Sequence, residues 1–364
     1  MDSIKFNNRQ VLVTGHTGFK GSWLSVWLSQ LGAKVTGISD RVPTDPSHYE
    51  LIKQNIAQDL RIDVKDPDAV FSVINDLQPD YIFHLAAQPI VLESYKDPLT
   101  TFSTNALGTA GILDALRRTN HNCTAMMITS DKCYDNVEKD SGYLETDRLG
   151  GKDPYSGSKG AAELAIRSYV QSFFKQPESN VRVAVGRAGN VIGGGDWAPY
   201  RIIPDCVRSW SNNEKPEIRS RFSTRPWQHV LEPLSGYLSL ACALSENDSL
   251  NGEAFNFGPP AYQNHTVEEL VNELTNHWPG AGWTDKSKNN DSPHEAGLLK
   301  LNCDKALHTL GWKATLNFEE TARWTGEWYQ TFYEKGSKEV AGLTMNQIKA
   351  YMNLAHARNS FKLD

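Results

Sequence analysis

The stretch VLVTGHTGFKGSW at residues 11–23 joins a short apolar run to a glycine-rich turn and then to a helical pattern. Its glycines, Gly15, Gly18 and Gly21, allow a tight turn and let backbone amides approach a pyrophosphate at a helix N-terminus. A glycine pattern alone is weak evidence, but this one follows a predicted strand and opens a predicted helix. The stretch therefore predicts a dinucleotide-binding loop, and the alternative is a turn that is merely rich in glycine.

The first half of the chain continues this alternation of short apolar runs and longer helical patterns. Strands that alternate with helices of this length predict βαβ units, and right-handed crossovers then give a doubly wound parallel sheet. The predicted fold class is therefore α/β, with a Rossmann-type sheet. Strands are predicted at 11–14, 35–39, 60–63, 81–85, 125–130 and 181–186, and helices at 22–31, 68–77, 100–118 and 157–174.

The pattern changes after about residue 189, where Gly, Pro and Trp become frequent and polar stretches at 211–224 and 284–292 indicate loops. This part is predicted to form a smaller, mixed α/β C-terminal lobe that binds substrate. The predicted division is a dinucleotide-binding domain at 1–188, rejoined by 227–258 through a short strand at 255–258; a substrate lobe at 189–226 and 259–340; and a helical tail at 341–364.

The tail carries a helical pattern that we attribute to packing. Thr344 is predicted to cap this helix at its N-terminus. Met345, Ile348 and Met352 would then lie on one face of it. A stripe of this kind indicates a packed surface and no chemistry.

Composition limits the classes of protein that the chain can belong to. Its 364 residues are 39% hydrophobic and 22% charged, which is enough apolar material for a large core and argues against disorder. The formal net charge of −6 argues against broad binding to nucleic acid or to anionic membranes. The first ten residues, MDSIKFNNRQ, are polar and lack the apolar core that a signal peptide would have, and no apolar run is long enough to span a bilayer.

The five cysteines are scattered and lack metal-ligand spacing, so neither a disulfide framework nor a metal site is expected. A reducing, cytoplasmic location follows as the prediction. The cysteines are Cys123, Cys133, Cys206, Cys242 and Cys303.

Two aspartates bear on the choice of dinucleotide. Asp40 ends the second predicted strand about 20 residues beyond the glycine loop, where a carboxylate can accept hydrogen bonds from the adenosine ribose. A carboxylate there would repel a phosphate, which favours NAD over NADP, although the adjacent Arg41 could instead accommodate that phosphate. Asp63 closes the third predicted strand, and it either recognises the adenine amine or is simply solvated.

Tyr155 and Lys159 form a Tyr-x-x-x-Lys pair at the start of a helical pattern. Because they are four residues apart, their side chains lie on one helical face. A nearby ammonium is expected to lower the pKa of the phenol, which lets tyrosine exchange a proton with a substrate hydroxyl. With the glycine loop and with Ser130 at the end of a strand, the pair resembles the extended branch of the short-chain dehydrogenase/reductase superfamily.

Longer segments narrow this resemblance. They are similar to the CDP-glucose 4,6-dehydratases across nearly the whole chain. The segments are TGHTGFKGSWL at 14–24, HLAAQP at 84–89, TSDKCYDN at 129–136, DPYSGSKGAAEL at 153–164, RAGNVIGGGDWA at 187–198 and RPWQHVLEPLSGYL at 225–238.

The resemblance implies oxidation at carbon 4 of the hexose, elimination of water across carbons 5 and 6, and return of the hydride from NAD to carbon 6. It implies that Tyr155, supported by Lys159 and Ser130, removes the hydroxyl proton at carbon 4. Asp131 would protonate the departing hydroxyl, which requires a raised pKa. Lys132 stands where related dTDP-glucose enzymes carry glutamate, and it either removes the proton on carbon 5 or stays charged and stabilises the enolate.

The resemblance also implies the ligand contacts. The cofactor residues would be Gly15, Thr17, Gly18, Phe19, Gly21, Asp40, Asp63, Val64, Ala86, Tyr155 and Lys159. The nucleotide-sugar residues would be Gln88, Asn190, Arg201, Arg225 and His294, of which Arg225 matches phosphate geometry best and Arg201 has a surface role as its alternative.

The chain departs from the family pattern at Leu92, Glu93 and Tyr200, near the expected sugar pocket. These departures bear on which hexose or which nucleotide base the protein accepts, and less on the type of reaction. The alternatives are a dehydratase or an epimerase of another nucleotide sugar, and a noncatalytic dinucleotide sensor, against which the intact tyrosine–lysine pair argues. The resemblance further implies a homodimer and a place in deoxysugar synthesis for surface polysaccharide.

Overall fold

The computed structural model describes residues 5–260, 262–287 and 298–361. Its strands are β1 Gln10–Thr14, β2 Lys34–Ser39, β3 Gln58–Arg61, β4 Tyr81–His84, β5 Cys123–Ile128, β6 Val181–Ala188, β7 Val191–Ile192, β8 Glu217–Ile218, β9 Thr224–Arg225, β10 Gln228–His229, β11 Ala254–Phe257, β12 His265–Thr266 and β13 Thr284–Asp285. Its α-helices are α1 Phe19–Gln30, α2 His48–Ile52, α3 Pro67–Leu77, α4 Val91–Lys96, α5 Pro98–Phe102, α6 Gly108–Arg118, α7 Pro154–Tyr169, α8 Ile202–Ser211, α9 Leu231–Glu246, α10 Val267–Thr275, α11 Asp304–Leu310, α12 Phe318–Lys335 and α13 Ser337–Arg358.

The described residues form one seven-stranded sheet in the order β11-β6-β5-β4-β1-β2-β3, in which every neighbouring pair is parallel. The chain runs outward from β1 to β3 and then returns to place β4 on the other side of β1. The strand order therefore reverses between β1 and β4, which is where ligands bind in open sheets of this class. The predicted doubly wound α/β fold is confirmed, including the short strand at 255–258, which appears as β11 and rejoins the sheet.

Alternating side chains of each central strand enter two separate cores. Val11 and Val13 face the tryptophan-rich core beneath α1 and α9, whereas Leu12 faces the core that contains Ile112 of α6. Because successive side chains of a strand point to opposite faces, a central strand covered by helices on both sides is apolar throughout. This explains why the strands read as short unbroken apolar runs in the sequence.

Two long helices each contain one wider turn. A π-helical turn at Ser103–Leu107 joins α5 to α6, and another at Val170–Phe174 extends α7. Both helices also begin two or three residues earlier than predicted. Asp97 and Asp153 cap them with their side chains, and a proline occupies a first-turn position in each.

Two sequence expectations about element ends are wrong. The third strand ends at Arg61, so Asp63 lies two residues beyond it rather than closing it. Thr344 lies in the middle of α13 rather than at its start, and it is fully buried. Its hydroxyl accepts a hydrogen bond from Trp328 Nε1 at 2.9 Å, and it donates back to the carbonyl of Val340. Because its hydroxyl bonds to the carbonyl four residues earlier in the same helix, Thr344 can lie inside α13 and does not have to be at its N-cap.

The predicted packing face of this helix is confirmed. Ile348 is fully buried, and Met345 and Met352 pack against the same core. In the part of the chain that the structure describes, no helix has the length and apolar character needed to cross a bilayer.

Candidate active site

The glycine loop lies between β1 and α1, at the point where the strand order reverses. Gly15 has a φ of +72°, and a Cβ on it would stand 2.8 Å from the backbone of Ala86, which follows β4. A Cβ on Gly21 would stand 2.1 Å from the carbonyl oxygen of Gly15. Both positions therefore require glycine. Gly18 begins α1 without a side-chain cap, so the first-turn amides are left to a ligand. This cradle fits a dinucleotide pyrophosphate.

Other residues predicted for the cofactor surround this loop. Thr17 donates to the carbonyl of Arg41 at 2.6 Å, which ties the loop to the end of β2. Asp40 follows β2 and is exposed, with its carboxylate 3.9 Å from the Arg41 guanidinium. Asp63 accepts from the backbone amide of Lys65 at 2.9 Å. Val64 is buried, and Phe19 packs on the core near Gly193.

Tyr155 and Lys159 occupy the start of α7, and both are almost fully buried. Asp153 caps this helix by accepting from the amide of Ser156 at 2.9 Å, and Ser94 Oγ accepts from the amide of Tyr155 at 3.1 Å. Two elements therefore fix the position of the phenol.

Burial controls the proton affinities of this pair. Burial raises the pKa of Tyr155 to about 12, opposed by its hydrogen bond with Ser130 and by the charge of Arg201. Burial lowers the pKa of Lys159 to about 8, opposed by Cys133 and Glu163. The expectation that a neighbouring ammonium leaves the phenol with a lowered pKa is therefore wrong for the protein alone, because desolvation outweighs the nearby cations.

Asp131 lies in a short turn directly after β5. Ser130 Oγ donates to Asp131 Oδ1 at 2.8 Å and accepts from the amide of Lys132 at 3.2 Å. Ser130 is also close enough to Tyr155 to act on the pKa of its phenol, so the serine lies between the phenol and the carboxyl. Burial raises the pKa of Asp131, and the charge of Lys132, the Ser130 hydroxyl and the charge of Lys20 oppose the increase. A Cβ on Gly189 would stand 3.3 Å from Asp131 Oδ2, so this glycine leaves room beside the carboxyl.

A buried ion pair supports this turn from behind. Arg187 of β6 donates to both carboxylate oxygens of Glu163, at 2.7 and 2.9 Å. Arg187 also donates to the hydroxyl of Tyr134 at 2.7 Å, and Thr129 donates to Glu163 at 2.6 Å. The network joins β5, β6 and α7, and it brackets the turn on both sides.

The residues predicted for the nucleotide sugar have different surroundings. Arg201 is brought to the catalytic residues and donates to Asp196 at 2.6 Å. The carboxamide of Gln88 is hydrogen-bonded to Thr101 and to the amide of Ile90, so both its ends are engaged within the protein. Asn190 is half-buried just beyond β6.

Arg225 lies in β9 and donates to the carbonyl of Thr224 at 2.7 Å. The next residue, Pro226, stands 3.8 Å from the Cβ position of Gly189 beside Asp131, so the segment that contains Arg225 passes near the catalytic turn. His294, with its neighbour Glu295, lies outside the described residues.

Two of the three departures from the family pattern meet through one lysine. Glu93 Oε1 lies 2.8 Å from Lys96 Nζ, and Lys96 Nζ lies 3.5 Å from the Tyr200 hydroxyl and 5.4 Å from its ring centroid. Leu92 lies in the same helix, α4. Glu93 and Tyr200 therefore take part in one local contact that connects α4 with the loop before α8.

Sequence reasoning missed four residues of this region. Lys20 and Tyr237 approach Asp131 from the side of α1 and α9, and Glu163 and Arg187 support the turn. Glu163 stands four residues after Lys159, so helical spacing could have indicated it. Tyr237 lies in a helix that is buried along almost its whole length, and nothing in its sequence pattern indicated a role at the site.

Proteins of similar sequence match the part of the chain that contains these site residues. A family model described as GDP-mannose 4,6 dehydratase matches residues 12–325. The chain is 42% identical to the CDP-glucose 4,6-dehydratase of Salmonella typhimurium, over 97% of this chain and 99% of that protein. It is 27% identical to a dTDP-glucose 4,6-dehydratase of Streptomyces antibioticus, over 91% of this chain and 96% of that protein.

Among solved structures, the fold is similar to that of UDP-glucuronic acid 4-epimerase from Bacillus cereus in complex with UDP-glucuronic acid and NAD. The TM-score is 0.74 at 21% identity, and the match covers 89% of this chain and all of that one. At this identity the likeness supports the fold alone. The family model spans most of the chain and includes the glycine loop, the catalytic turn and α7, so the chain belongs to the GDP-mannose 4,6-dehydratase family.

Proposed function

We propose that the chain is an NAD-dependent CDP-glucose 4,6-dehydratase, a hydro-lyase that forms CDP-4-keto-6-deoxyglucose. The observation that carries this proposal is the buried Asp131, with Ser130 lying between it and Tyr155. An epimerase needs the tyrosine–lysine pair alone, whereas elimination of water needs an additional acid and base. The 42% identity to a CDP-glucose 4,6-dehydratase favours this substrate over other nucleotide sugars.

The first half-reaction uses the residues of α7. NAD, when bound in the glycine-loop cradle, supplies the hydride acceptor at carbon 4 and later the hydride donor to carbon 6. Tyr155 Oη takes the proton of the carbon 4 hydroxyl as the ketone forms. The Ser130 hydrogen bond and the charge of Arg201 both favour the phenolate against the effect of burial. Lys159 stands one helical turn away and supports the tyrosine.

The second half-reaction uses the turn after β5. The carbon 4 ketone acidifies the proton on carbon 5, and the amine of Lys132 removes it. The bond from carbon 6 to its hydroxyl oxygen breaks, and Asp131 gives that oxygen a proton, so that water leaves. When hydride is returned to carbon 6, carbon 5 must regain a proton, and Lys132 would return the one that it removed. The raised pKa of Asp131 keeps a proton available for this step. The alternative for Lys132 is that it stays charged and stabilises the enolate.

We also propose the binding roles and the division into lobes. Residues 1–188 with 227–258 would bind NAD, 189–226 and 259–340 would bind the nucleotide sugar, and the tail at 341–364 would be helical. Asn190, Arg201, Arg225 and His294 would contact the nucleotide sugar, Arg225 at the diphosphate. Gln88 would act on the nucleotide sugar indirectly. Its side chain is hydrogen-bonded to Thr101 and to the amide of Ile90, so it would orient the backbone around it.

We infer a homodimer from one apolar surface. Leu99 and Leu107, on the helix that contains α5 and α6, are 80% and 67% exposed, and Leu164 of α7 is also exposed. The two helices lie side by side, because Phe102 stands 3.4 Å from the Cβ position of Gly157. Exposed apolar side chains in one region indicate an interface, here with the same surface of a second copy. Gel filtration with light scattering that finds monomer alone would contradict this.

Substrate assays test the function. Purified protein incubated with CDP-, dTDP- and GDP-glucose should form the 4-keto-6-deoxy product from CDP-glucose in preference to the others. Turnover without added cofactor would indicate that NAD stays bound through the cycle. Formation of the carbon 4 epimer of the substrate, without loss of water, would contradict the proposal. The proposed place of this reaction is deoxysugar synthesis in the cytoplasm.

A further inference from the structure

Helix α13 packs along α1, the helix whose first turn forms the dinucleotide cradle. The ring centroids of Trp27 and Tyr351 are 5.6 Å apart, and Gln30 Nε2 donates to the carbonyl of Met345 at 3.3 Å. Both contacts involve the C-terminal half of α1. The first turn of α1, which would hold the cofactor, is connected to α13 through His48.

His48 is the first residue of α2, and it is 2% exposed. Its Nδ1 lies 2.7 Å from Ser22 Oγ of α1, and its Nε2 lies 3.2 Å from Thr344 Oγ1 of α13. Trp328 Nε1 of α12 donates to the same threonine oxygen at 2.9 Å. A buried chain of hydrogen bonds therefore runs from α12 and α13 through the imidazole to α1.

The neighbouring hydrogen bonds assign the roles of the two imidazole nitrogens. Burial lowers the pKa of His48 to about 3, so the ring is neutral and has one N–H. The Ser22 hydroxyl donates to the carbonyl of Phe19 at 2.9 Å, which leaves its oxygen as the acceptor for Nδ1. Nε2 is then an acceptor that faces the Thr344 hydroxyl. Each polar atom of the chain has a partner, in a place where an unmade hydrogen bond is costly.

Packing holds the imidazole in place. The ring of Trp23 stacks on it, with centroids 5.0 Å apart and an interplanar angle of 16°. Gly195 has a φ of +85°, and a Cβ on it would stand 2.6 Å from His48 Cβ. Trp23 Nε1 also donates to the carbonyl of Gly194 at 2.8 Å. Because the ring has little freedom to move, a displacement of α13 would be passed on to Ser22.

Ser22 closes the first turn of α1. Its amide donates to the carbonyl of Gly18 at 2.9 Å, and its hydroxyl donates to the carbonyl of Phe19 at 2.9 Å. The amides of residues 19–21 precede these bonds and have no acceptor within the helix, so they are the donors that would meet a pyrophosphate. Ser22 therefore helps to fix the direction in which these three amides point.

We propose that α13 is part of the support for the cofactor loop, and that His48 and Thr344 are positioning residues that act through Ser22 to hold the first turn of α1 in the orientation that binds the NAD pyrophosphate. A donor set that is already ordered binds its ligand more tightly, because less freedom is lost on binding. This inference concerns the cofactor and goes beyond the proposed function, since it holds whichever nucleotide sugar reacts.

The decisive variant is Thr344→Val, which keeps the shape of the side chain and removes its hydroxyl. The full-length protein is brought to equilibrium by dialysis against a series of concentrations of radiolabelled NAD. The dissociation constant of NAD should rise about fivefold, which is the contribution of one buried hydrogen bond. Thr344→Ser keeps the hydroxyl and should retain the wild-type value.

Tyr351→Phe is the matched control on the same helix. It removes a buried hydroxyl that donates to Glu232 Oε2 at 2.7 Å, so it loosens α13 without breaking a bond of the His48 chain. Urea unfolding should show a loss of stability in both variants, whereas the dissociation constant of NAD should stay near the wild-type value in Tyr351→Phe. An equal effect of the two variants on NAD binding would overturn the proposal, because it would indicate a general loosening of the fold.

A double replacement tests whether the effect passes along this chain. Ser22→Ala and Thr344→Val break the same chain at its two ends, so their combined effect on NAD binding should be smaller than the product of the separate effects. Effects that simply multiply would overturn the proposal.

His48→Asn is a second variant for the case that Thr344→Val does not fold. Its amide can still donate to Ser22 but is too short to reach Thr344, so it should weaken NAD binding several-fold. NAD binding at the wild-type level in His48→Asn, or in a folded Thr344→Val, would overturn the proposal. A protein that binds NAD but fails to dehydrate CDP-glucose would contradict the proposed function alone, because this test needs no substrate.

Discussion

The helix that carries Tyr155 and Lys159 and the turn that carries Asp131 and Lys132 meet at Ser130 but are built differently. Helix α7 is long, begins at a side-chain cap, and fixes its two residues by spacing along one element. The turn is three residues long, and its surroundings, which include Lys20, Gly189 and the Glu163 network, come from elsewhere in the chain. One region holds its chemistry by local geometry, and the other holds it by tertiary packing and charge.

The largest expected effect comes from removing the phenol of the local pair. Tyr155→Phe should lower kcat about 10³-fold, because general base catalysis at the carbon 4 hydroxyl is lost while the fold is kept. The measurement is product formation with bound NAD quantified in parallel. Tyr169→Phe, on the same helix, is the matched control and should keep near-normal activity. A loss of less than tenfold in Tyr155→Phe would remove this tyrosine from the mechanism.

A comparable effect, on stability and not on the chemical step, is expected when the buried ion pair between Glu163 and Arg187 is broken. Glu163→Gln should lower the free energy of unfolding by about 3 kcal/mol, because Arg187 is left buried without its counter-charge. Denaturant unfolding measures this, with the exposed Glu178→Gln as the control. The double replacement Glu163→Leu with Arg187→Met should recover part of the loss. A Glu163→Gln protein as stable as the wild type would show that the turn does not depend on this ion pair.

A smaller effect should separate the two roles left open for Lys132. Lys132→Met should lower dehydration about 10²-fold whether the lysine is a base or a charge. Lys132→Arg keeps the charge but does not release a proton near neutral pH, so it should restore activity only if Lys132 stabilises the enolate. The rate of exchange of the carbon 5 hydrogen with deuterated solvent measures the step directly. Unchanged exchange in both variants would exclude Lys132 from proton removal and from enolate stabilisation.

The same contrast explains what the sequence could and could not predict. Strand runs, the glycine loop and the Tyr155–Lys159 spacing are local patterns, and each appears where it was expected. Thr344 was misplaced because its helix continues seven residues farther toward the N-terminus, and Asp63 because an edge strand ends early. Lys20 and Tyr237 could not be linked to Asp131, since only the packing of α1 against α9 and β5 brings them near it.

The pKa of Tyr155 illustrates the same limit. Spacing correctly placed an ammonium one helical turn away, but the number of apolar atoms around the phenol is a tertiary property. Burial therefore reversed a direction that local reasoning had assigned.

The most direct test of the division between oxidation and elimination is Asp131→Asn given CDP-glucose, with reduced nicotinamide followed by absorbance and products followed by NMR. Because Tyr155 and Lys159 are intact, we expect reduced nicotinamide to accumulate and persist while no 4-keto-6-deoxy sugar forms. Product at the wild-type rate, or no reduction at all, would contradict the assignment of the two half-reactions to two differently built regions.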